Sequence, residues 1–168
     1  GHPGACYDLA IMCGRGEGGP TDEARAARHY IAACKAGHPA ACHAAGVALD
    51  QGKGVEPDKT GAIPYFRLAC TLGEHRGCRH LGLAYLSGNG VAKDTQRARG
   101  LLEASCEADD ADSCFDLGVM WFNGEGIPKN QVKARSIYAK ACKLGHERAC
   151  SYKTPPFRRR SGSGFDYY

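Results

Sequence analysis

The chain has 168 residues, 24% of them charged and 8% aromatic, with a formal net charge of +4, enough length for one domain with a substantial core. Lys153, Arg158, Arg159 and Arg160 against Asp166 put +3 of that charge in residues 153–168, leaving about +1 (4 − 3) on the body, so no broad basic face exists for a phosphate backbone. No stretch approaches the apolar length of a membrane span, and with neither an initiator Met nor a signal peptide the chain reads as processed or trimmed.

In chain order, the first segment carries Cys6, Ala10 and Cys13 and ends at Gly16-x-Gly18. Asp22 then opens a stretch through Ala26, Tyr30 and Cys34, broken by Ala36-Gly37-His38-Pro39. Cys42 and Gly46 follow, ending at Gly52-x-Gly54, and the same succession restarts at Asp58. The period is 36 residues: Cys34, Cys70, Cys106 and Cys142 form one column, and Cys6, Cys42, Cys78, Cys114 and Cys150 another. Ala26, Ala62, Ala98 and Ala134 keep the same register, as do Tyr30, Phe66, Leu102 and Tyr138. Ala10, Gly46, Gly82 and Gly118 are always small, and Gly88-x-Gly90 and Gly124-x-Gly126 repeat the loop. Self-similarity at this period marks a repeat array.

Each unit reads as two helices. The first runs from about Asp58 to Leu72, with an N-cap candidate at Asp22, Asp58, Asp94 or Asn130 and apolar residues such as Ala62, Phe66 and Ala69 at helical spacing. The second carries a stripe such as Cys78, Leu81, Gly82 and Tyr85, its small residue expected to let a neighbouring backbone come close. Strand-like alternation is absent. The spacing therefore predicts an all-α fold, an α-solenoid of helix-turn-helix repeats over residues 1–152, followed by a non-repeat tail over 153–168. Pro64, Gly100 and Asp109-Asp110 depart from the pattern and predict local kinks.

Ten cysteines in 168 residues point to an oxidising compartment unless they bind metal. The complete pairs are Cys34/Cys42, Cys70/Cys78, Cys106/Cys114 and Cys142/Cys150, each Cys-x7-Cys. Residues eight apart in one helix are about 12 Å apart along the axis, whereas a disulfide tolerates about 4.4–6.8 Å between Cα atoms. Closure needs a chain reversal between the cysteines, where Gly37-Pro39 and Gly73 sit. Cys6 lacks such a partner and Cys13 is a helical residue too far on, so both are expected as free thiols. The rival is metal, since His38 and His146 give Cys-x3-His-x3-Cys. His75 is displaced by one, the third unit has no histidine between its cysteines, and structural zinc usually wants closer cysteine pairs. Disulfides with turn histidines are the expectation, with no metal and no cofactor.

Stretches such as Ala134-Arg-Ser-Ile-Tyr-Ala-Lys-Ala-Cys142-Lys-Leu-Gly145-His-Glu-Arg-Ala-Cys150 and Leu81-Gly-Leu-Ala-Tyr-Leu-Ser-Gly-Asn-Gly-Val91 resemble Sel1-like repeats, relatives of tetratricopeptide repeats. The Cys-x7-Cys pairs resemble the family's disulfide-rich branch, over residues 3–152. The resemblance implies a scaffold or adaptor in a multiprotein assembly. It also implies two alternatives: a secreted or periplasmic β-lactam or peptidoglycan binder with at most weak hydrolase activity, or a respiratory-chain assembly factor of the mitochondrial intermembrane space.

Stacked repeats build an extended surface suited to protein or peptide binding. The second-helix positions outside the core stripe change chemistry from unit to unit: Tyr7, His43, Arg79 and Phe115 in one column, Asp8, Ala44, His80 and Asp116 in the next. Tyr7, His43, Arg79, His80, Phe115 and Asp116 are the candidate binding residues, a choice that favours types enriched at hot spots. No catalytic residue is expected: Ser136 and Lys140 are one residue too far apart for Ser-x-x-Lys, and no nucleophile-elbow motif occurs. The Pro/Arg/Gly/Ser tail, with Phe157, Phe165, Tyr167 and Tyr168, has no helical period; residues 157–168 are expected to dock on a neighbouring chain.

Overall fold

The structure, a computed structural model, describes residues 2–153; the tail expected to dock on a neighbour lies outside the described residues. First-type helices are α2 (Glu23–Lys35), α4 (Lys59–Thr71), α6 (Thr95–Glu107) and α8 (Gln131–Lys143). Second-type helices are α1 (Pro3–Arg15), α3 (Pro39–Gln51), α5 (His75–Ser87), α7 (Ala111–Asn123) and α9 (Glu147–Lys153). Among the described residues there is no strand. Each helix packs on the next in sequence, and successive second helices also touch, α3 on α5 and α5 on α7. This is the α-solenoid expected from the period.

Local chemistry fixes where each helix starts. Asp22, Asp58, Asp94 and Asn130 accept from the backbone N–H three residues on at 2.8, 2.8, 3.0 and 2.9 Å, satisfying one of the donors a helix start leaves orphaned. Second helices are capped by a different set. Asp110 accepts from Ser113 N–H at 2.7 Å, and the Nδ1 atoms of His38 and His146 accept from Ala41 and Ala149 N–H at 3.3 and 3.1 Å. His38 and His146 are thus helix caps, while His75 is the first residue of α5, and among the described residues no cluster of three or more metal-ligating side chains forms.

The turn between paired helices is the same in every unit. In the second, Gly73 N–H donates to Cys70 O at 3.1 Å and Glu74 N–H to Ala69 O at 2.9 Å. That geometry needs φ > 0, which Gly37, Gly73 and Gly145 adopt at 87°, 85° and 97°. The third unit meets the requirement with Asp109 at φ 64°, aspartate being among the residues that tolerate this region. The kink expected at Asp109-Asp110 is therefore an ordinary turn followed by an ordinary cap. Those expected at Pro64 and Gly100 do not break α4 or α6, which keep thirteen residues like their counterparts. Both residues lie on the exposed outer side, where neither is wedged against packing and water can satisfy the carbonyl that Pro64 leaves free.

This reversal brings each cysteine pair to bonding distance. Cys34–Cys42, Cys70–Cys78, Cys106–Cys114 and Cys142–Cys150 are disulfides, with Cα separations of 4.5, 4.5, 4.5 and 4.7 Å. Cys6 and Cys13 are free and half-buried.

The small column has a different role from the one expected. It admits a side chain rather than a backbone. A Cβ on Gly46 would meet the Phe66 ring at 2.6 Å, one on Gly118 the Tyr138 ring at 2.5 Å, and one on Gly82 the Leu102 Cγ at 3.2 Å. The first helix of each unit thus inserts its large residue into a notch on the second helix before it. Close backbone approach occurs instead at the loop glycines, where a Cβ on Gly54 would run into the Glu23 backbone and one on Gly90 into that of Lys59, and at Gly77, where it would stand 3.0 Å from Cys70 N and Phe66 O.

Candidate functional site

The second helices carry the candidate residues, and the structure places them along one face. Those of the first column each face the residue that caps the next second helix. Tyr7 stacks on the cap His38, with ring centroids 4.5 Å apart, and Phe115 stacks on the cap His146 at 4.2 Å. The charge of Glu74, which caps α5 by accepting from Arg76 N–H at 3.3 Å, acts on His43, and that of the cap Asp110 on Arg79. Across four units the column residue and the next cap therefore read Tyr–His, His–Glu, Arg–Asp and Phe–His. Aromatic residues meet imidazoles and Arg79 meets a carboxylate, so the change in chemistry along the column is in part a matching of neighbours within the chain.

Four of the six candidates are spent largely on such contacts. The Arg79 guanidinium holds Asp116 at 2.6 Å and Asp112 at 3.4 Å. Burial raises the Asp116 carboxyl above its ordinary range against the pull of Arg79. His80 packs against Phe66, with ring centroids 5.0 Å apart. Phe115, expected outside the core, is buried at 7% exposure, against Tyr138 at 5.6 Å between centroids and beneath the Arg148 guanidinium at 5.1 Å. Its position stays outside the stripe of Cys114, Leu117, Gly118 and Trp121, yet Arg148 and Tyr152 of α9 close over it. A sequence window on α7 alone has no sight of that cover.

His43 and His80 meet edge to face, centroids 4.9 Å apart. Burial first, then the neighbouring His80, push the His43 imidazole down to about 4, and burial and Arg79 push His80 down as well. Both are neutral in the fold near neutral pH, whereas the unfolded chain binds their protons from about pH 6.5 downward. Stability is therefore complete above that range and falls as pH drops toward 4. For His43 the loss is expected to be about 2 kcal/mol after allowing for its partial exposure. Urea unfolding at pH 7 and pH 4.5 checks this, since His43→Phe should remove most of the difference. An unchanged pH slope in that variant would assign the effect elsewhere.

Sequence reasoning missed a cleft of about 460 Å³ between α1, α2 and α3. Tyr7, Ile11, Tyr30 and Val47 line it together with Ala26, Ala27, Ala44 and Gly14, and Arg15, Glu23, Lys53 and Arg76 stand at its edge. The Nε2 atom of His43, also in the lining, is buried without a hydrogen-bond partner. The equivalent cleft one unit on, between α3, α4 and α5, measures about 190 Å³. The signal was present in the columns: Gly14, Ala27 and Ala44 stand where the next unit has Asp50, Ile63 and His80.

Fold and face together define a disulfide-clamped helical repeat scaffold. The Sel1 repeat matches four times in succession, over residues 3–38, 39–74, 75–110 and 111–146. The chain belongs to the Sel1 repeat family, whose members are generally protein-interaction scaffolds and typically not enzymes. Among solved structures, it is similar to a protective antigen of uropathogenic Escherichia coli with 33% identity and a TM-score of 0.84, over 90% of this chain and 32% of that one. A Sel1 repeat protein of Oxalobacter formigenes gives 26% identity and a TM-score of 0.85, over 90% and 62%. Cysteine-rich protein B of Helicobacter pylori gives 32% and 0.61, over 78% and 94%. The chain thus spans about a third of the first relative's length and under two thirds of the second's. No curated protein sequence matches the chain. Among the described residues no helix is long and apolar enough to cross a membrane.

Proposed function

We propose that this array binds a protein or peptide partner on its second-helix face, as a component of a multiprotein assembly in an oxidising compartment outside the cytoplasm. The observation that carries the reading is a constant internal frame bearing a face whose chemistry differs in every unit, opened by a cleft at one end. Tyr7 and His43 are half-buried and line that cleft. Arg79, His80 and Asp116 extend the face, and Phe115 supports it from beneath. Four structural disulfides favour an oxidising location, as does similarity to a bacterial cysteine-rich protein and to a protective antigen.

The test is to pan a random peptide library against the oxidised protein and map the recovered peptides by amide chemical shifts. Recovered sequences should compete with one another and perturb α1, α3, α5 and α7 on the face bearing Tyr7, His43 and Arg79. Failure to enrich any sequence, or shifts confined to the outer faces of α2, α4, α6 and α8, would remove the reading.

A further inference from the structure

Resting on the second-helix face as the binding surface, we propose that His43 and His80 form an acid-operated partition on that face, closed between two clefts while both rings are neutral and opened when they take up protons. His43 lines the cleft of about 460 Å³ between α1, α2 and α3, and His80 lines the one of about 190 Å³ between α3, α4 and α5. Their rings meet edge to face with centroids 4.9 Å apart, and Phe66 packs against both, at 6.2 and 5.0 Å. The pair therefore stands where the two spaces would otherwise join.

The closed arrangement suits neutral imidazoles only. His43 Nε2 and His80 Nδ1 are buried with no hydrogen-bond partner, so a proton on either would be buried without an acceptor. Burial is the largest obstacle to charge on both rings. For His43 the neighbouring His80, Arg76 and Arg79 add to it, and Glu74, which favours the charge, is already held by Arg76 at 2.8 Å. For His80, Arg79 adds to it and Asp50 of α3 favours the charge. Lys59 of α4 also borders the second cleft, and the other ionisable groups of the first are Tyr7 and Arg15 of α1, Glu23 and Tyr30 of α2, and Lys53. An imidazole that swings into water titrates near its ordinary value of about 6.5, whereas His43 in the closed form is held down to about 4. A proton thus favours the open form by on the order of a hundredfold. Below about pH 5 that preference draws the rings toward solvent and joins the two clefts into one groove, and neutral rings close it again above.

The experiment follows Nile red, an uncharged apolar dye, with the oxidised protein from pH 7 to pH 4, alongside far-UV circular dichroism and the imidazole signals in NMR. Dye emission should rise about twofold or more with the midpoint of the His43 signal, while the helical signal is unchanged. His43→Phe with His80→Phe keeps two rings in the wall with nothing to protonate, and should abolish the rise. His80→Phe alone, which serves if the double variant does not fold, should raise the His43 midpoint, since one like charge is gone. No rise while the helices persist, a rise that comes only with loss of helix, an equal rise in the double variant, or a His43 midpoint at its ordinary value overturns the proposal. No partner enters the experiment, so such an outcome leaves the reading of the face standing, whereas peptides mapping elsewhere would remove that reading and leave the titration unaffected.

Discussion

Reduction of the four bridges is expected to unfold the array at temperatures where the oxidised protein remains helical. Each bridge closes a short loop, its cysteines eight residues apart in sequence, and chain-entropy arithmetic gives about 2.5 kcal/mol for such a loop. Four together approach about 10 kcal/mol as an upper bound, comparable to the whole stability of a typical domain, about 5–15 kcal/mol. In thermal terms the shift is on the order of 20–30 °C for a chain of this length. The effect is concentrated by architecture, because a solenoid unit contacts only its neighbours and has no distant core to fall back on. Circular-dichroism melts with and without phosphine reductant measure it. Replacing one pair, Cys70→Ala with Cys78→Ala, should lower the midpoint by roughly a quarter as much. A reduced protein melting within a few degrees of the oxidised one would mean that turn and notch packing, not the bridges, hold the hairpins.

Tyr138→Ala is expected to be the most damaging single substitution, at about 3–5 kcal/mol. The ring is 2% exposed, fills the notch at Gly118, and packs against Phe115 and Tyr152 at centroid distances of 5.6 and 5.1 Å. Removing it leaves a cavity at the junction of α7, α8 and α9, and the helices around it are pinned by caps and bridges that limit collapse. The partner experiment is Gly118→Ala, where the new Cβ would stand 2.5 Å from the ring and must displace it. The two changes should be non-additive, since without the ring the extra methyl enters empty space. Their double variant should be less destabilised than the sum by about 1 kcal/mol or more. Denaturant midpoints of the four proteins measure the cycle, and strict additivity would show that the ring and the notch do not depend on each other.

Most of the fold was legible because the repeat states each requirement four times. Asp22, Asp58, Asp94 and Asn130 announce helix starts through cap chemistry that depends only on the next three residues. The Cys-x7-Cys pairs were readable for a similar reason: a short bridge and a chain reversal are both local geometry. What the small column does was misjudged, since whether Gly118 meets a backbone or the ring of Tyr138 depends on how one helix is laid against another. The turn column imposes its conformation on Asp109, and α4 continues through the exposed Pro64.

The candidate face was legible as a set of positions and illegible as a surface. The columns identified Tyr7, His43, Arg79, His80, Phe115 and Asp116, yet packing decided which of them are free. Phe115 is covered by α9 and Arg79 is held by Asp116 and Asp112, contacts between residues more than thirty apart in sequence. The cleft belongs to the same class, for it is a space between three helices that no single helix describes.

By itself the sequence determined what local physics can specify: a 36-residue period, helix boundaries set by caps and glycine turns, bridge partners eight residues apart, and the membership that follows. Only the tertiary structure decided which side chains fill the notches, which charges are already paired, and where the face opens. Those outcomes depend on the volume left after two neighbouring units pack, and in the first unit Gly14, Ala27 and Ala44 leave the larger cleft because nothing there is big enough to fill it.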